Sequence, residues 1–413
     1  MDNITHALAG VALAEAALQA RSARDGREPA RGFARLAYLT SGLANNLPDA
    51  DVLYTGLTGG KLGSLLHHRG HTHTLPVGLL LGAALAALAA ALGRRRGALG
   101  PGDAPWLWGL GLVGPLVHMS MDGWNVYGVH PFWPLYDGWL YGDSIFIVEP
   151  LLWATLVPPL LFAARARWWQ AALGLVLAAT FFLPWALPKL VILPSRIAVG
   201  LVAALLLALA RHASARARAA AALAASAAVV LAFVAVGRLA RAELTRRLAA
   251  EPGTALHDLA LSPLPADPLC WTLISVQTSA AGELVLRRAT YAPFPSLYAA
   301  GLCPEQAERI NAPLAPVAAP SDASTRWEGE FRAPLARLRS LARERCEAAA
   351  LLRFVRIPFW AETDEGTVLG DLRFDRNDRL GFAELLLAPP GAPCPPLVPP
   401  WLPPRRDLLA PEP

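Results

Sequence analysis

Long apolar segments dominate the first 236 residues of this chain and set the main constraint on its fold. The sequence of 413 residues is 54% hydrophobic and 17% charged, which is too apolar for a single soluble protein. Residues 237–413 hold most of the acidic residues, many prolines and all four cysteines. We therefore predict an α-helical polytopic membrane domain over residues 1–236, followed by a smaller soluble α+β domain over residues 237–413.

The apolar segments can be compared with a membrane-spanning helix, which needs roughly 20 residues. Five segments fit this template clearly, at residues 74–92, 145–164, 168–187, 196–211 and 219–236. Three weaker segments are short or carry glycine, proline or charge, at residues 4–20, 36–47 and 106–121. Because such segments are tolerated where they pack on protein or line a cavity, we count about eight spans.

Arginine is distributed unevenly between the loops that these spans would leave. Thirteen arginines fall in loops 21–35, 93–105, 165–167 and 211–218, whereas the opposite loops hold only Lys61, Arg69, Lys189 and Arg196. The positive-inside rule places arginine-rich loops in the cytoplasm. We therefore expect a multi-pass inner-membrane protein with both termini outside the cytoplasm. A group of arginines after the last span argues against this orientation: Arg238, Arg241, Arg246 and Arg247.

The cysteines support the outward placement of the C-terminal domain. They form an even set within that domain, Cys270, Cys303, Cys346 and Cys394. Their spacing contains no CxxC pair, which argues against a zinc site there. We expect two disulfides formed in an oxidising compartment, with the pairing left open.

Alternating apolar residues predict two hairpins in the C-terminal domain. The first joins residues 271–278 to 283–291, and the second joins 352–361 to 367–374, with helical periodicity over 333–350 between them. The proline-rich end from Pro389 is typical of a disordered tail or of one that orders on contact. We find no nucleotide loop, catalytic triad or nucleic-acid motif here, so we expect this domain to cover the membrane site or to select substrate.

Histidines and carboxylates cluster inside the apolar region. Seven of the nine histidines precede residue 131. Ionisable groups at membrane depth are costly and usually mark a functional site, and imidazole with carboxylate suits a divalent metal ion. The histidines are His6, His67, His68, His71, His73, His118 and His130, and the carboxylates that accompany them are Asp49, Asp51, Asp122 and Glu149.

Each motif also has a plainer interpretation. The tract from His67 to His73 has four imidazoles in seven residues and is typical of metal-binding segments, but it could be a surface loop without a ligand. His6 could simply be packed or reach toward the membrane surface. The turn from Pro48 to Asp51 could be a solvated helix end, and the pair His118 and Asp122 an ordinary i,i+4 hydrogen bond. The charge-derived topology places all of them on one face, which favours a shared site.

The order of these motifs resembles the YdjM-like family of inner-membrane proteins assigned as metal-dependent hydrolases. The resemblance covers about the first 150 residues and rests on short motifs, namely Met1-Asp2, Thr5-His6, Pro48-Asp49-x-Asp51, His68-Arg69-Gly70-x-Thr72-His73, His118-x-x-x-Asp122, Asn125-x-Tyr127-Gly128, Pro131-Phe132 and Glu149-Pro150. It implies a hydrolase domain embedded in the membrane, with eight candidate ligands at the family's motif positions: His6, Asp49, Asp51, His68, His73, His118, Asp122 and Glu149. This chain has His71 at a variable position and Glu149 where some members have aspartate. It does not supply a substrate.

We therefore expect a metal-dependent hydrolase whose site opens at the outer leaflet. Eight candidate ligands favour two ions, with zinc first and manganese second. Asp51 or Glu149 would act as the base, and Arg69 would neutralise charge on the substrate. A lipid phosphoester or another amphiphile from the bilayer is the expected substrate. The alternative is a non-enzymatic membrane protein that binds or transports metal, or a scaffold.

Overall fold

The computed structural model describes residues 1–305 and 310–410. Its N-terminal part is helical. The helices are α1 (Asn3–Asp25), α2 (Arg31–Ala44), α3 (Val52–Thr55), α4 (Gly60–His67), α5 (Leu75–Arg95), α6 (Ala104–Gly123), α7 (Pro150–Ala163), α8 (Arg167–Ala186), α9 (Leu193–His212) and α10 (Ala215–Ala249). Two single 3₁₀ turns, Pro48–Asp51 and His71–His73, interrupt this series and carry candidate ligands.

Four of these helices are long and apolar enough to cross a membrane, namely α5, α8, α9 and α10. They coincide with the predicted spans at residues 74–92, 168–187, 196–211 and 219–236. The expectation of a membrane protein is therefore supported, whereas the other four of the eight predicted spans are not supported by the described helices. The structure supports four.

The other four predicted spans form helices that are too short or too polar to count. Helices α2 and α7 have 14 residues each, and at 1.5 Å per residue they fall short of a hydrocarbon core about 30 Å thick. Helix α1 buries the side chains of Glu15 and Arg21 within the protein, where they contact Tyr38 and Asp103. Helix α6 ends in buried candidate ligands.

The helices pack in two connected groups. Helix α1 contacts α2, α2 contacts α6, and α6 contacts α5, whereas α7 contacts α8, α9 and α10. The closest approach joins Gly82 of α5 to Gly111 of α6, where a Cβ on either residue would collide with the other's backbone oxygen. This packing brings the start of α5 and the end of α6 together, and both carry candidate ligands.

The C-terminal part contains two antiparallel sheets. Its elements are β1 (Thr254–Leu264), β2 (Asp267–Ser279), β3 (Glu283–Tyr291), β4 (Thr325–Pro334), α11 (Leu335–Glu344), α12 (Cys346–Leu351), β5 (Pro358–Thr363), β6 (Gly366–Asp371), β7 (Glu384–Leu386) and α13 (Arg406–Leu409). The first sheet has the order β1-β2-β3-β4 and the second β5-β6-β7.

Both predicted hairpins are confirmed, as β2–β3 and β5–β6. The second begins later than predicted because residues 352–357 form a turn and an extended segment. The predicted helix over 333–350 divides into α11 and α12 at Arg345, whose backbone is extended. Strands β1 and β4 were not predicted.

Two disulfides link distant segments of the C-terminal part. They join Cys270 to Cys303 and Cys346 to Cys394, which confirms that all four cysteines are paired. The second disulfide ties α12 to the proline-rich end of the chain. Beyond it, the Trp401 side chain is fully buried and its indole N–H donates to the Leu66 carbonyl oxygen at 2.8 Å. The described end of the chain is therefore ordered by contact with the helical part.

The two parts of the chain meet in a contact that no predicted boundary anticipates. Helix α10 continues through residue 236 to Ala249 and packs on β1. Beside it, the buried guanidinium of Arg356 donates to both Asp143, in the loop after α6, and Asp258, on β1. Asp143 and Asp258 also contact Arg241 of α10. Arg241, one of the four arginines that follow the last predicted span, thus forms ion pairs at this contact.

Candidate metal centre

Three short segments deliver the candidate ligands to one place. The 3₁₀ turn Pro48–Asp51 follows α2, and the 3₁₀ turn His71–His73 immediately precedes α5. The last turn of α6 supplies His118 and Asp122, four residues apart and so on one helix face. Helix α2 ends at Ala44, and Pro48 begins the acidic 3₁₀ turn, which contacts α6.

Four ligand atoms converge within this arrangement. The Nε2 atoms of His73 and His118 lie 3.0 Å apart. His73 Nε2 is 3.3 Å from Asp49 Oδ1 and 3.3 Å from Asp122 Oδ2, and His118 Nε2 is 3.5 Å from each of the same two oxygens. These four residues form the first ligand group, and a cation between them would have two nitrogen and two oxygen ligands, a set that zinc accepts.

The outer nitrogen of each ring has its own partner. His118 Nδ1 is 2.6 Å from the Asn45 carbonyl oxygen, which can only accept, so Nδ1 carries a proton. His73 Nδ1 is 3.4 Å from Asp51 Oδ2. In the neutral rings, the two Nε2 lone pairs therefore face each other and two carboxylates. A metal-binding histidine usually has such a hydrogen-bond acceptor at its other ring nitrogen, which fixes the orientation of the ring.

This group of acceptors requires a positive charge. Asp122 Oδ2 is buried, and the Nε2 atoms of His73 and His118 lie beside it. Burial disfavours a charged His73 ring, but its hydrogen bonds to Asp122, Asp49 and Asp51 outweigh burial and raise the pKa of His73 to about 10. A proton on His73 satisfies the cluster when no ion is bound. A metal ion would displace that proton, so the residues fit the implied cofactor.

A second ligand group shares Asp49 with the first and adds Asp51 and His68. Asp51 Oδ1 is 3.1 Å from His68 Nδ1, and Asp51 Oδ2 accepts from the Arg69 backbone N–H at 2.9 Å. Although burial alone would raise it, hydrogen bonds from His68 and His73 hold the pKa of Asp51 at about 2. His68 is the most open member, with 37% of its side chain exposed, and Asp49 retains 12%. Access to the centre is therefore from the side of these two residues.

His6 lies against the first group but on its inner side. Its Nε2 atom is 3.3 Å from Asp122 Oδ1, and its ring stacks on His118 with centroids 3.8 Å apart. The Asp2 side chain caps α1 by accepting from the Thr5 backbone N–H, which fixes the first turn that carries His6. The amino group of Met1 also contacts Asp122 Oδ1. These contacts make Asp122 the common anchor of the centre.

Arg69 faces the interior rather than the open side of the centre. Its guanidinium is 2% exposed and donates to Asp122 Oδ1, to Asn125 Oδ1 and to the Asp122 and Gly128 carbonyl oxygens. It also lies over the ring of Tyr127, 4.4 Å from the centroid. The donors of Arg69 are directed to Asp122 and to the loop that follows α6, not toward the exposed side. Its predicted contact with substrate therefore stays a prediction.

The structure does not bring Glu149 into either ligand group. Its carboxylate accepts from the backbone N–H groups of Leu151, at the start of α7, and of Ala266, in the turn between β1 and β2. Burial raises the pKa of Glu149 to about 8, and burial also raises the pKa of nearby Asp267 to about 7. Glu149 thus connects the helical part to the first sheet. Its predicted roles as ligand and base receive no support from this position.

The sequence motifs did not reveal several residues that support the centre. The Asn45 carbonyl oxygen could come from any residue type, so no residue pattern marks it. His71 and His130 are not ligands in either group. Their rings pack against the indole of Trp401, with centroids 4.8 and 4.1 Å away. A large apolar residue in the proline-rich end was the only available sign of that contact.

Comparison with known proteins agrees with the motifs. Residues 1–191 match the family model described as YdjM inner membrane protein, which confirms the resemblance inferred from the sequence. The match contains every candidate ligand and ends before α9. Neither the curated proteins nor the solved structures yielded a match.

The first ligand group makes a direct prediction about metal content. His118→Ala and Asp122→Asn should each weaken Zn²⁺ or Mn²⁺ binding by roughly 100-fold or more, because loss of a partner behind a ligand already costs 10- to 100-fold. Elemental analysis of purified, metal-loaded protein after dialysis measures this. His130→Ala removes an equally buried histidine outside both groups and should leave the metal content unchanged. Wild-type protein that retains no divalent metal after loading would refute the assignment.

The position of Glu149 predicts a pH dependence of stability. Because its folded pKa of about 8 lies above the ordinary value of 4.5, the protonated form favours folding. The stabilisation is fully present below pH 4.5 and is lost as the pH rises through 8. The free energy of unfolding falls by roughly a few kcal/mol over this range. Thermal unfolding in detergent between pH 5.5 and 8.5 should show a falling midpoint. Glu149→Gln should flatten the slope and retain metal, whereas Glu243→Gln, at an exposed position, should behave as wild type. An unchanged slope in Glu149→Gln would contradict the prediction.

Proposed function

We propose that this protein, whose residues 1–191 match the family model of YdjM inner membrane protein, is a membrane-bound metal-dependent hydrolase. The observation that carries the proposal is the convergence of two imidazole nitrogens and two carboxylate oxygens on one point, with the outer ring nitrogens held by acceptors. The centre is reached from its exposed side, so a ligand position can remain for substrate or water. Structural metal sites are usually closed, whereas catalytic ones keep an open position.

The charge distribution supports placing the centre at the outer membrane face. Arg94 and Arg95 end α5, while Arg167 begins α8. Arg211 lies at the end of α9 and Arg216 at the start of α10. The four candidate spans thus present basic residues at one end, and the metal centre lies at the opposite end of α5. The positive-inside rule then assigns the arginine-rich end to the cytoplasm and both termini to the outside.

The chemistry divides between the bound metal and the residues around it. A divalent ion supplies Lewis acidity and makes water nucleophilic near neutral pH. Asp51 lies beside the Nδ1 atoms of the His68 and His73 rings, which leaves the Nε2 atom of His73 directed at the first ligand group. Arg69 holds Asp122 in place from the interior. We assign Arg69 to positioning, and Asp51 both to positioning and to the second ligand group. We assign Asp49 to the substrate side because it is the partly exposed carboxylate.

Two ions fit the two ligand groups better than one. Asp49 belongs to both groups; His73, His118 and Asp122 would complete the first set of ligands, and Asp51 and His68 the second. Paired ions can hold the attacking and the leaving oxygen of one displacement. The first group has two nitrogen ligands and suits zinc, whereas the second is richer in oxygen, which also accommodates manganese.

The hydrolase proposal predicts turnover that depends on metal. Metal-loaded protein should hydrolyse at least one member of a panel of phospholipids and isoprenoid phosphates, and a chelator should abolish the activity. His118→Ala should be inactive, and His130→Ala should remain active. If no substrate turns over and the protein instead carries metal across vesicle membranes, transport replaces hydrolysis as its function.

Asp51→Asn separates the two roles considered for this carboxylate. As a positioning residue, its loss should lower metal affinity and turnover together, by about 10- to 100-fold. A general base would instead cost roughly 10² to 10⁴ in turnover with the metal retained. Measuring both quantities on the same preparation decides between them.

The proposed orientation has a separate test. In intact spheroplasts, an impermeant maleimide should label the C-terminal cysteines from outside, and only after a reductant has opened the two disulfides. A cysteine introduced as Arg96→Cys, at an exposed position directly after α5 in the predicted cytoplasmic loop, should react only after permeabilisation. Labelling of Cys270 or Cys346 solely from the cytoplasmic side would reverse the orientation and place the centre at the inner face.

A further inference from the structure

Two short segments beside the metal centre expose large apolar side chains. Residues 52–57 follow the acidic turn and expose Val52, Leu53 and Leu57, the last two by 82% each. Residues 131–136 expose Phe132, Leu135 and Tyr136, with Leu135 at 95%. These six residues are the apolar rim. Such a concentration of exposed apolar side chains around one site marks an interaction surface.

The rim is attached directly to the metal centre. Val52 is the residue after Asp51, and the ring of Tyr54 contacts that of His67 with centroids 6.3 Å apart. On the other segment, the ring of Trp133 contacts that of His71 at 4.9 Å. The two segments therefore flank the histidine tract, close to the side on which His68 and Asp49 are exposed.

The rim is also continuous with a candidate membrane span. The backbone N–H of Leu75, the first residue of α5, donates to the Pro131 carbonyl oxygen at 2.8 Å. Residues 131–136 therefore lie level with the end of that span, where a bilayer changes from hydrocarbon to headgroups. Helix α5 is 21 residues long and matches the hydrocarbon thickness, so its ends lie near the two interfaces.

The composition of both segments fits the same location. Neither residues 52–57 nor residues 131–136 contain a charged side chain. They do contain Tyr54, Phe132, Trp133 and Tyr136. Tyrosine and tryptophan are enriched where a membrane meets water, because one part of the ring is apolar and the other polar. A protein partner would also bury leucines, but it would not account for their continuity with α5.

We propose that the apolar rim inserts into the outer leaflet of the bilayer, and that the metal centre takes its substrate laterally from that leaflet. The substrate class is then a membrane lipid whose phosphoester headgroup reaches the centre between the two segments. The rim itself is independent of catalysis, whereas the substrate class rests on the proposed hydrolase function. A rim immersed at the headgroup level would keep the lipid headgroup beside the centre without extracting its acyl chains into water.

Depth measurement tests the rim without any activity assay. Leu53→Cys, Leu57→Cys and Leu135→Cys each accept a nitroxide label, since all four native cysteines are paired in disulfides. In phosphatidylethanolamine–phosphatidylglycerol nanodiscs, the labels should collide with oxygen, which concentrates in lipid, rather than with a water-soluble nickel chelate. A label at Asp364→Cys, in the exposed turn between β5 and β6, should show the reverse. Water-accessible labels at all three rim positions would overturn the proposal. Labels shielded from both reagents in a dimeric protein would also overturn it, in favour of a second copy as the partner.

A second experiment tests the substrate class. Leu53→Asn, Leu57→Asn and Leu135→Asn combined should lower hydrolysis of phospholipid in vesicles by about tenfold or more, because membrane attachment scales with buried apolar area. Hydrolysis of soluble bis(p-nitrophenyl) phosphate and the metal content should be unchanged. Leu380→Asn, at an exposed leucine outside the rim, should match wild type. Equal loss on both substrates would overturn lateral entry. Wild-type protein inactive on both substrates would overturn the hydrolase function and the substrate class, while the depth measurement alone decides the rim.

Discussion

The convergence of hydrogen-bond acceptors on one point is the interaction on which the N-terminal architecture depends. Two carboxylates and two imidazoles from separate segments meet there, and a positive charge between them, either a proton on His73 or a bound cation, is needed to hold their facing acceptors together. Unpaired charges inside a protein are costly, which makes the cluster unfavourable without such a positive charge. Helices α2 and α6 both end at the cluster: Asn45, directly after α2, offers its carbonyl oxygen to His118, and α6 ends just after Asp122.

The sheet-containing part supports the same cluster from outside. The indole of Trp401 covers the rings of His71 and His130 and bonds to the backbone of α4. Arg373, paired with Asp371, donates to the carbonyl oxygens of Val126 and Tyr127, in the loop that follows α6. Because this loop also contacts Arg69, the C-terminal part stabilises the segment behind Asp122. Because this domain lacks catalytic motifs, we expected it to cover the site or to select substrate. These contacts agree with the first of these expectations.

Sequence reasoning succeeded where a residue type carries its chemistry alone. Histidine and aspartate at fixed spacing predicted most of the cluster, and alternating residues predicted the β2–β3 and β5–β6 hairpins. It failed where the outcome depends on partners distant in the chain. The apolar segments around Glu15 and Asp122 look like spans until Tyr38 or Arg69 is known to lie beside them. Glu149 is followed by a proline at a helix start, as expected of a ligand, yet its partners are the backbone groups of Leu151 and Ala266. Residue type alone cannot identify such backbone partners.

Charge balance explains why a divalent ion suits the centre. Arg69 pairs with Asp122 and satisfies one of the three carboxylates. The side-chain ion pairs that the described residues offer to Asp49 and Asp51 are imidazoles, which are neutral when they act as metal ligands. Two carboxylate charges therefore remain for a bound ion, and one divalent cation neutralises both. A second ion would leave excess positive charge beside Asp49, on the exposed side of the centre. That excess is balanced when an anionic phosphoester binds there, so the two-ion arrangement and a phosphoester substrate support each other electrostatically.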